Sequence, residues 1–342
     1  MEEGKGTVCV TGGTGFVASW LIKNLLQRGY CVRATVRCHS SSADDEGITT
    51  EKKKDLSYLR KLEGASKRLK VFHGELEEVG SYDEAIEGCV GVFHLAHPMD
   101  VNGEEGEEKV TKRAMEGTLG ILKACLRSKT VRRVVYASSA VTVLYNNGKN
   151  ALETVDEETW SEIEVCQNGN NIVSSSYLVS KILTEKAALE FGENNGLEVV
   201  SLVLPLVVGP FICPNIPSSV HIALAIILGD HSKYEYLTNS YMVHIDDAAN
   251  ALIFLFEYAH ANGRYICSSH QVSFYQVYQL LSQRYPHLHI SLPDKLRETA
   301  NGDLKFSDLS SRKLLDAGFK FKYGINEMYD GAIQCCKEKG FL

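Results

Sequence analysis

The stretch Thr7-Val-Cys-Val-Thr-Gly-Gly-Thr-Gly-Phe-Val-Ala18 constrains the fold more than any other. An apolar, β-branched run stops at a glycine cluster, and a helical pattern follows to Leu26. Gly12, Gly15 and Ala18 stand at GxxGxxA spacing, directly after a strand and at the start of a helix. Gly12 permits the tight turn, and Gly15 lets backbone approach a pyrophosphate. Ala18 is small enough for helix and strand to pack closely. A pyrophosphate then meets the free N–H groups and the favourable dipole of the helix N-terminus. In this setting the glycines predict a dinucleotide site rather than a merely structural turn.

The rest of the first two-thirds alternates in the same way. Apolar runs at 31–36, 69–72, 91–96, 133–137 and 198–204 read as strands, and 107–127 and 175–191 read as helices. Nearly all-apolar strands separated by helices predict a parallel sheet covered on both faces, hence a Rossmann-type, doubly wound α/β fold. After Pro210 the pattern loosens, which predicts a smaller C-terminal substrate-binding lobe. The expected division is 1–210 for the dinucleotide domain, with segments near 241–258 returning to it, and 211–342 for the lobe. Residues 38–54 show no periodicity and read as a long solvated loop.

The net charge of −7 argues against nucleic acid or an anionic membrane surface as partner. The longest apolar stretch, 199–213, is broken by Pro205, Gly209 and Pro210 and is too short to span a bilayer. The polar N-terminus reads as lacking a signal peptide. Ten scattered cysteines with no CxxC pair suit free thiols in a reducing, cytoplasmic setting, and no metal site is expected.

Cofactor choice is read at the end of the second strand. An NAD site usually offers a carboxylate there. Here the strand ends Thr35-Val36-Arg37, and no acid appears before Asp44. Arg37 can pair with a 2′-phosphate, with Lys52, Lys53 or Lys54 as helpers, so NADP(H) is favoured and NAD(H) stays possible.

A Tyr-x-x-x-Lys pair on a helix puts both groups on one face. The ammonium is then expected to lower the phenol's pKa, and the phenol to exchange a proton with a carbonyl or alcohol oxygen. Two such pairs occur. Tyr145–Lys149 encloses Asn146-Asn147-Gly148, which is turn chemistry. Tyr177–Lys181 lies in a helical stretch free of Gly and Pro. Ser138 and Ser139, at the end of the preceding strand, can supply a hydroxyl to the same oxygen.

These pieces resemble the extended short-chain dehydrogenase/reductases. They are similar to the plant group that includes dihydroflavonol 4-reductase, vestitone reductase, anthocyanidin reductase and cinnamoyl-CoA reductase. The likeness runs over nearly the whole chain, through Thr35-Val-Arg37, Glu116-Gly-Thr-Leu-Gly-Ile-Leu122, Tyr177-Leu-Val-Ser-Lys181, Leu204-Pro-Leu-Val-Val-Gly-Pro-Phe211 and Val243-His-Ile-Asp-Asp247. The C-terminal residues from Ala332 are most similar to vestitone reductase. Ser176 to Asp230 and Gly263 to Ser269 are more similar to noscapine synthase.

The resemblance implies that Ser139, Tyr177 and Lys181 are catalytic. It implies cofactor contacts from Phe16 and Val17, Glu75 and Leu76, Leu95 and Ala96, Pro205, Leu206 and Val207, and Ser219. It also points to departures. Glu75-Leu76 replaces the family's usual Asp near the adenine. Leu144 stands where dihydroflavonol reductases carry an asparagine. Ser175 replaces an aromatic residue two places before Tyr177. His97 stands where relatives tend to have Ser or Thr. His97, Leu144 and Ser176 are therefore taken as substrate-pocket positions.

The reaction expected is NADPH-dependent reduction of a ketone or aldehyde of an aromatic plant metabolite. The same machinery run backwards is an NAD(P)-dependent alcohol dehydrogenase of alkaloid metabolism. A nucleotide-sugar epimerase would need basic residues in the C-terminal lobe, where Pro214 to Tyr265 holds only Lys233 and Arg264. An NADP-binding regulatory protein is the non-enzyme alternative. The chain is expected to act as a monomer or weak homodimer on a small aromatic carbonyl or alcohol.

Overall fold

The computed structural model describes residues 5–37, 55–98, 105–146, 154–169, 173–288, 290 and 307–342. The loop predicted at 38–54, with Lys52, Lys53 and Lys54, lies outside the described residues, as does Lys149.

Seven parallel strands form the central sheet. They are β1 (Thr7–Thr11), β2 (Cys31–Val36), β3 (Leu69–His73), β4 (Gly91–His94), β5 (Arg133–Ser139), β7 (Glu198–Leu204) and β10 (Gly263–Ile266). Their order is β3-β2-β1-β4-β5-β7-β10, and every adjacent pair runs parallel. The order reverses between β1 and β4, which opens a crevice at their carboxyl ends. The sheet is the Rossmann type that the strand pattern predicts.

Two helices cover each face. On one side α1 (Phe16–Gln27) and α5 (Ile245–Glu257) pack Leu21, Ile22, Leu25, Ala248 and Leu252 against Val8, Val10 and Leu202. On the other, α2 (Glu107–Ser128) and α3 (Ser175–Asn195) bring Ile121, Leu122, Cys125 and Ala188 onto Cys9, Val92 and Val134. Within β1, Val8 and Val10 face one helix layer and Cys9 the other. Burial on both sides explains why these strands read as continuous apolar runs.

Two strands differ by two residues from their predicted bounds. The apolar run 91–96 leaves the ladder after His94, because the N–H groups of Leu95 and Ala96 turn to the Thr11 hydroxyl instead. The strand expected to stop at 137 carries on through Ser139, paired with β7 as far as Ser139–Leu204. The seventh strand, Gly-Arg-Tyr-Ile, is not anticipated from the sequence pattern. Its buried arginine disguises it as a polar turn.

Pro205 ends β7. It has no N–H to continue the ladder. The chain steps into β8 (Leu206–Val208), which joins β9 (Asn239–His244) and β11 (His270–Ser273) in a separate three-stranded sheet. A second core gathers there around Phe211, Leu224, Met242, Leu281 and Tyr329. It draws on α4 (Ser218–Ala223), α6 (Phe274–Arg284) and α7 (Ile325–Glu338). A two-stranded pair, β6 (Thr154–Val155) with β12 (Asp308–Leu309), closes the flank.

Candidate active site

The parallel sheet brings most of the sequence-predicted positions to one edge. Gly12 follows β1, Arg37 follows β2, Glu75 follows β3, Leu95 follows β4, Ser139 ends β5 and Pro205 follows β7.

The glycine turn is built from backbone. Gly12 takes φ +68°, and a Cβ there would lie 3.1 Å from the Cα of Ala96. The Gly13 N–H donates to the Thr35 carbonyl at 2.8 Å, and the Gly15 N–H donates to the Gly12 carbonyl at 2.8 Å. Gly13 is a close-packing residue that the spacing argument does not use. Its Cβ would meet Ala34 Cβ at 3.0 Å and Ile22 Cδ1 at 3.3 Å. Gly15 is exposed and forms the N-cap of α1, with no side-chain cap bond. Phe16 and Val17 open that helix, both partly buried. A turn with glycine at three of its four positions, leading into a helix start with no side-chain cap, is what a pyrophosphate requires. The residues present therefore fit a dinucleotide.

Around this turn the predicted neighbours are half-buried or exposed. Arg37 is exposed, two residues beyond the Thr35 carbonyl that holds Gly13. Leu76 wedges against Gly117 of α2, where a Cβ would lie 2.7 Å from its own Cβ. The Glu75 carboxylate folds back and accepts the Leu76 N–H at 3.1 Å. Ser219 is the second residue of α4 and half-buried.

A relay that sequence reasoning missed locks the crevice. Thr11 Oγ1 accepts the N–H groups of Leu95 and Ala96, each at 3.0 Å. Its own proton is then directed to His94 Nδ1, 2.8 Å away. His94 Nε2 in turn donates to Thr118 Oγ1 on α2 at 2.9 Å. Burial drives the His94 pKa down to about 3, so the ring is a neutral link. Thr11 and His94 are 83 residues apart, and no sequence signal joins them.

Ser139 hydrogen-bonds the phenol of Tyr177. Lys181 lies one turn further along α3, is 6% exposed, and donates from Nζ to the Ala137 carbonyl at 3.2 Å. The expectation that the ammonium lowers the phenol's pKa is corrected here. Burial raises the Tyr177 phenol above 10, and the Ser139 hydrogen bond supplies the opposing pull. The reason is where the ammonium goes: to the β5 backbone and over the Tyr136 ring, 5.5 Å from its centroid. Burial also lowers Lys181 from 10.5 to about 8, with Glu185 opposing the fall. In the rejected pair, Tyr145 lies just past the short helix Val141–Leu144.

The pocket positions divide. The His97 ring meets Tyr177 edge-on at 5.8 Å. His97 Nε2 lies 3.3 Å from Ser180 Oγ, while its Nδ1 is buried without a partner among the described residues. Leu144 packs partly into the cluster of Val143, Val155 and Tyr241. Ser176 is buried and pairs with Ser174 at 3.1 Å.

Comparison with known proteins follows the same lines. The model of the NAD dependent epimerase/dehydratase family matches residues 8–268. Vestitone reductase of Medicago sativa is 48% identical over 342 residues, covering 100% of both chains. Protein BRI1-5 ENHANCED 1 of Arabidopsis thaliana is 54% identical, over 98% of this chain and 90% of its own. Noscapine synthase SDR1 of Papaver somniferum is 45% identical, over 99% and 95%. The crystal structure of the alfalfa vestitone reductase superposes with a TM-score of 0.83, covering 99% of this chain and 100% of that one.

Proposed function

The chain belongs to the NAD dependent epimerase/dehydratase family, and we propose that it is an NADPH-dependent reductase of a ketone or aldehyde on an aromatic plant secondary metabolite. The observation that carries this reading is the hydroxyl pair Ser139–Tyr177, with Lys181 one turn away, beside a glycine-rich turn. Full-length similarity to vestitone reductase supports the flavonoid-like substrate class.

When bound, the nicotinamide supplies the hydride to the carbonyl carbon. Tyr177 donates its proton to the carbonyl oxygen, and the Ser139 hydroxyl donates a hydrogen bond to the same oxygen. Lys181 holds the cofactor ribose. Gly12 and Gly15 admit the pyrophosphate, with Phe16 and Val17 beneath it, and Arg37 receives the 2′-phosphate. Glu75, Leu76, Leu95 and Ala96 border the adenosine and ribose. Pro205, Leu206 and Val207 border the nicotinamide, and Ser219 the pyrophosphate.

His97 faces the substrate. The Ser180 hydroxyl is spent on the Tyr177 carbonyl at 2.9 Å, so His97 Nε2 carries the proton that reaches Ser180. Nδ1 is then a bare, buried acceptor. The residues after 210 build the rest of the pocket wall, around Leu144 and Ser176. The oxidative direction, an alcohol dehydrogenase, is the second reading, favoured by the 45% identity to noscapine synthase SDR1.

We place the protein in the cytoplasm as a monomer or weak homodimer. Nine described cysteines are free, and no helix among the described residues is long and apolar enough to cross a membrane.

The test is a panel of isoflavanones, dihydroflavonols, hydroxycinnamoyl thioesters and alkaloid ketones, assayed with NADPH and with NADH. Tyr177→Phe should lower kcat by about 100-fold or more and leave NADPH affinity near wild type. Full residual turnover in that variant refutes the assignment.

A further inference from the structure

Behind the candidate site, α3 carries a third polar group in phase. Tyr177, Lys181 and Glu185 are each four residues apart and share one helix face. Glu185 is 0% exposed. Its carboxylate accepts from Ser138 Oγ at 2.6 Å, Ser201 Oγ at 2.5 Å, and Arg264 Nε and Nη2 at 3.0 and 3.4 Å. Those donors come from β5, β7 and β10.

Arg264 is equally committed. Nη1 donates to the carbonyls of Glu157 and Thr159, at 3.0 and 2.7 Å, and Nη2 also donates to Thr142 Oγ1 at 2.8 Å. With the two bonds to Glu185, all five guanidinium N–H groups are spoken for. The guanidinium stacks 3.6 Å from the centre of the Trp160 ring. Arg264 therefore has no donor left for a substrate phosphate, which removes one of the two basic residues an epimerase reading could have used. Thr142 passes the connection on, because its hydroxyl donates to the Ser139 carbonyl at 2.9 Å.

One buried ion pair thus grips both halves of the candidate site. Through Glu185 it holds the helix that carries Tyr177 and Lys181. Through Ser138 and Thr142 it holds the strand end that carries Ser139. We propose that Glu185 and Arg264 are positioning residues for the reductase reaction. They fix Ser139 against Tyr177 and keep a negative charge one turn beyond Lys181. This rests on the reductase reading given above.

Several groups face Lys181. Tyr177 and Glu185 lie on its own helix, Tyr136 on β5, His94 and His97 on and after β4, and Arg264 on β10 behind Glu185. The two imidazoles are pushed toward neutrality by burial and by Lys181 itself. The carboxylate acting on the ammonium is Glu185, which favours its protonated form.

The experiment follows kcat, the KM for NADPH, and the titration of Lys181 by NMR of side-chain-labelled lysine, assigned with Lys181→Met. Glu185→Gln should lower kcat about ten-fold or more while the KM for NADPH stays within about two-fold. In the same variant Lys181 should titrate at lower pH than in wild type. Glu185→Asp, which keeps the charge but shortens its reach, should return the titration toward wild type without restoring kcat. If Glu185→Gln does not fold, Glu185→Gln/Arg264→Met removes the stranded guanidinium, with the same two changes expected. An unmoved Lys181 titration, or a kcat within about two-fold of wild type, overturns the proposal. Should the wild-type chain reduce no carbonyl at all, the reductase reading fails, while the NMR titration still reports on the pair.

Discussion

The two functional glycines should fail in opposite ways when each gains a methyl group. In Gly12→Ala the new residue must hold φ +68°, which costs about 1–2 kcal/mol for a side chain with a Cβ. Its Cβ would also sit 3.1 Å from the Cα and 3.2 Å from the N of Ala96. Those are backbone atoms, and the Ala96 N–H is held by Thr11, so they yield little. Overpacking of this kind adds about 1–3 kcal/mol. The total, about 2–5 kcal/mol, is a large part of an ordinary protein's stability.

Gly15→Ala is different. Gly15 has φ −69° and ψ 160°, which any residue adopts. Its Cβ would meet the Gly12 carbonyl oxygen at 3.2 Å and otherwise only Ala18 Cβ at 3.9 Å. Losing a glycine N-cap and easing that contact costs about 1 kcal/mol. The methyl instead occupies the approach of the pyrophosphate. One charge-assisted hydrogen bond lost there weakens NADPH by about 1.5–3 kcal/mol, or roughly 10- to 150-fold. Urea unfolding and NADPH fluorescence titration on both variants test the contrast. A Gly15→Ala protein that binds NADPH normally, or a Gly12→Ala protein as stable as wild type, refutes the reasoning.

Arg37→Ser should weaken NADPH about ten-fold and leave NADH unchanged, because only the 2′-phosphate is lost as a partner. The side chain is exposed, so the difference should shrink as salt rises; equal losses for both cofactors would contradict the role. Carbonyl reduction should fall as pH rises through about 8, where Lys181 gives up its proton and with it the charged donor that holds the cofactor ribose. Below that pH the ammonium is present and its contribution is complete. A pH–kcat profile flat from 7 to 10 counts against it.

What was legible in the sequence is what sits close together along the chain. The turn from Thr11 to Ala18 completes its geometry within eight residues. Tyr177 and Lys181 lie one turn apart on a helix, so their spacing could be read directly. The central strands were legible because burial on both faces leaves a mostly apolar run. β10 broke that rule: Arg264 is buried at 5% exposure inside a four-residue strand. A charged residue in a short segment reads as a surface turn unless its partner is known, and Glu185 is 79 residues away.

The same distance explains the error over the phenol. A Tyr-x-x-x-Lys spacing brings two side chains onto one face, but it does not say where the ammonium points. Lys181 turns to the Ala137 carbonyl and the Tyr136 ring, both on β5, 44 and 45 residues earlier in the chain. Burial then dominates both groups, raising Tyr177 from 10.0 and lowering Lys181 from 10.5 to about 8, so the amine gives up its proton well before the phenol does. The electrostatic setting of the pair is therefore a property of the sheet beneath it. Only the hydroxyl of Ser139, delivered by the extra two residues of β5, adjusts the phenol directly.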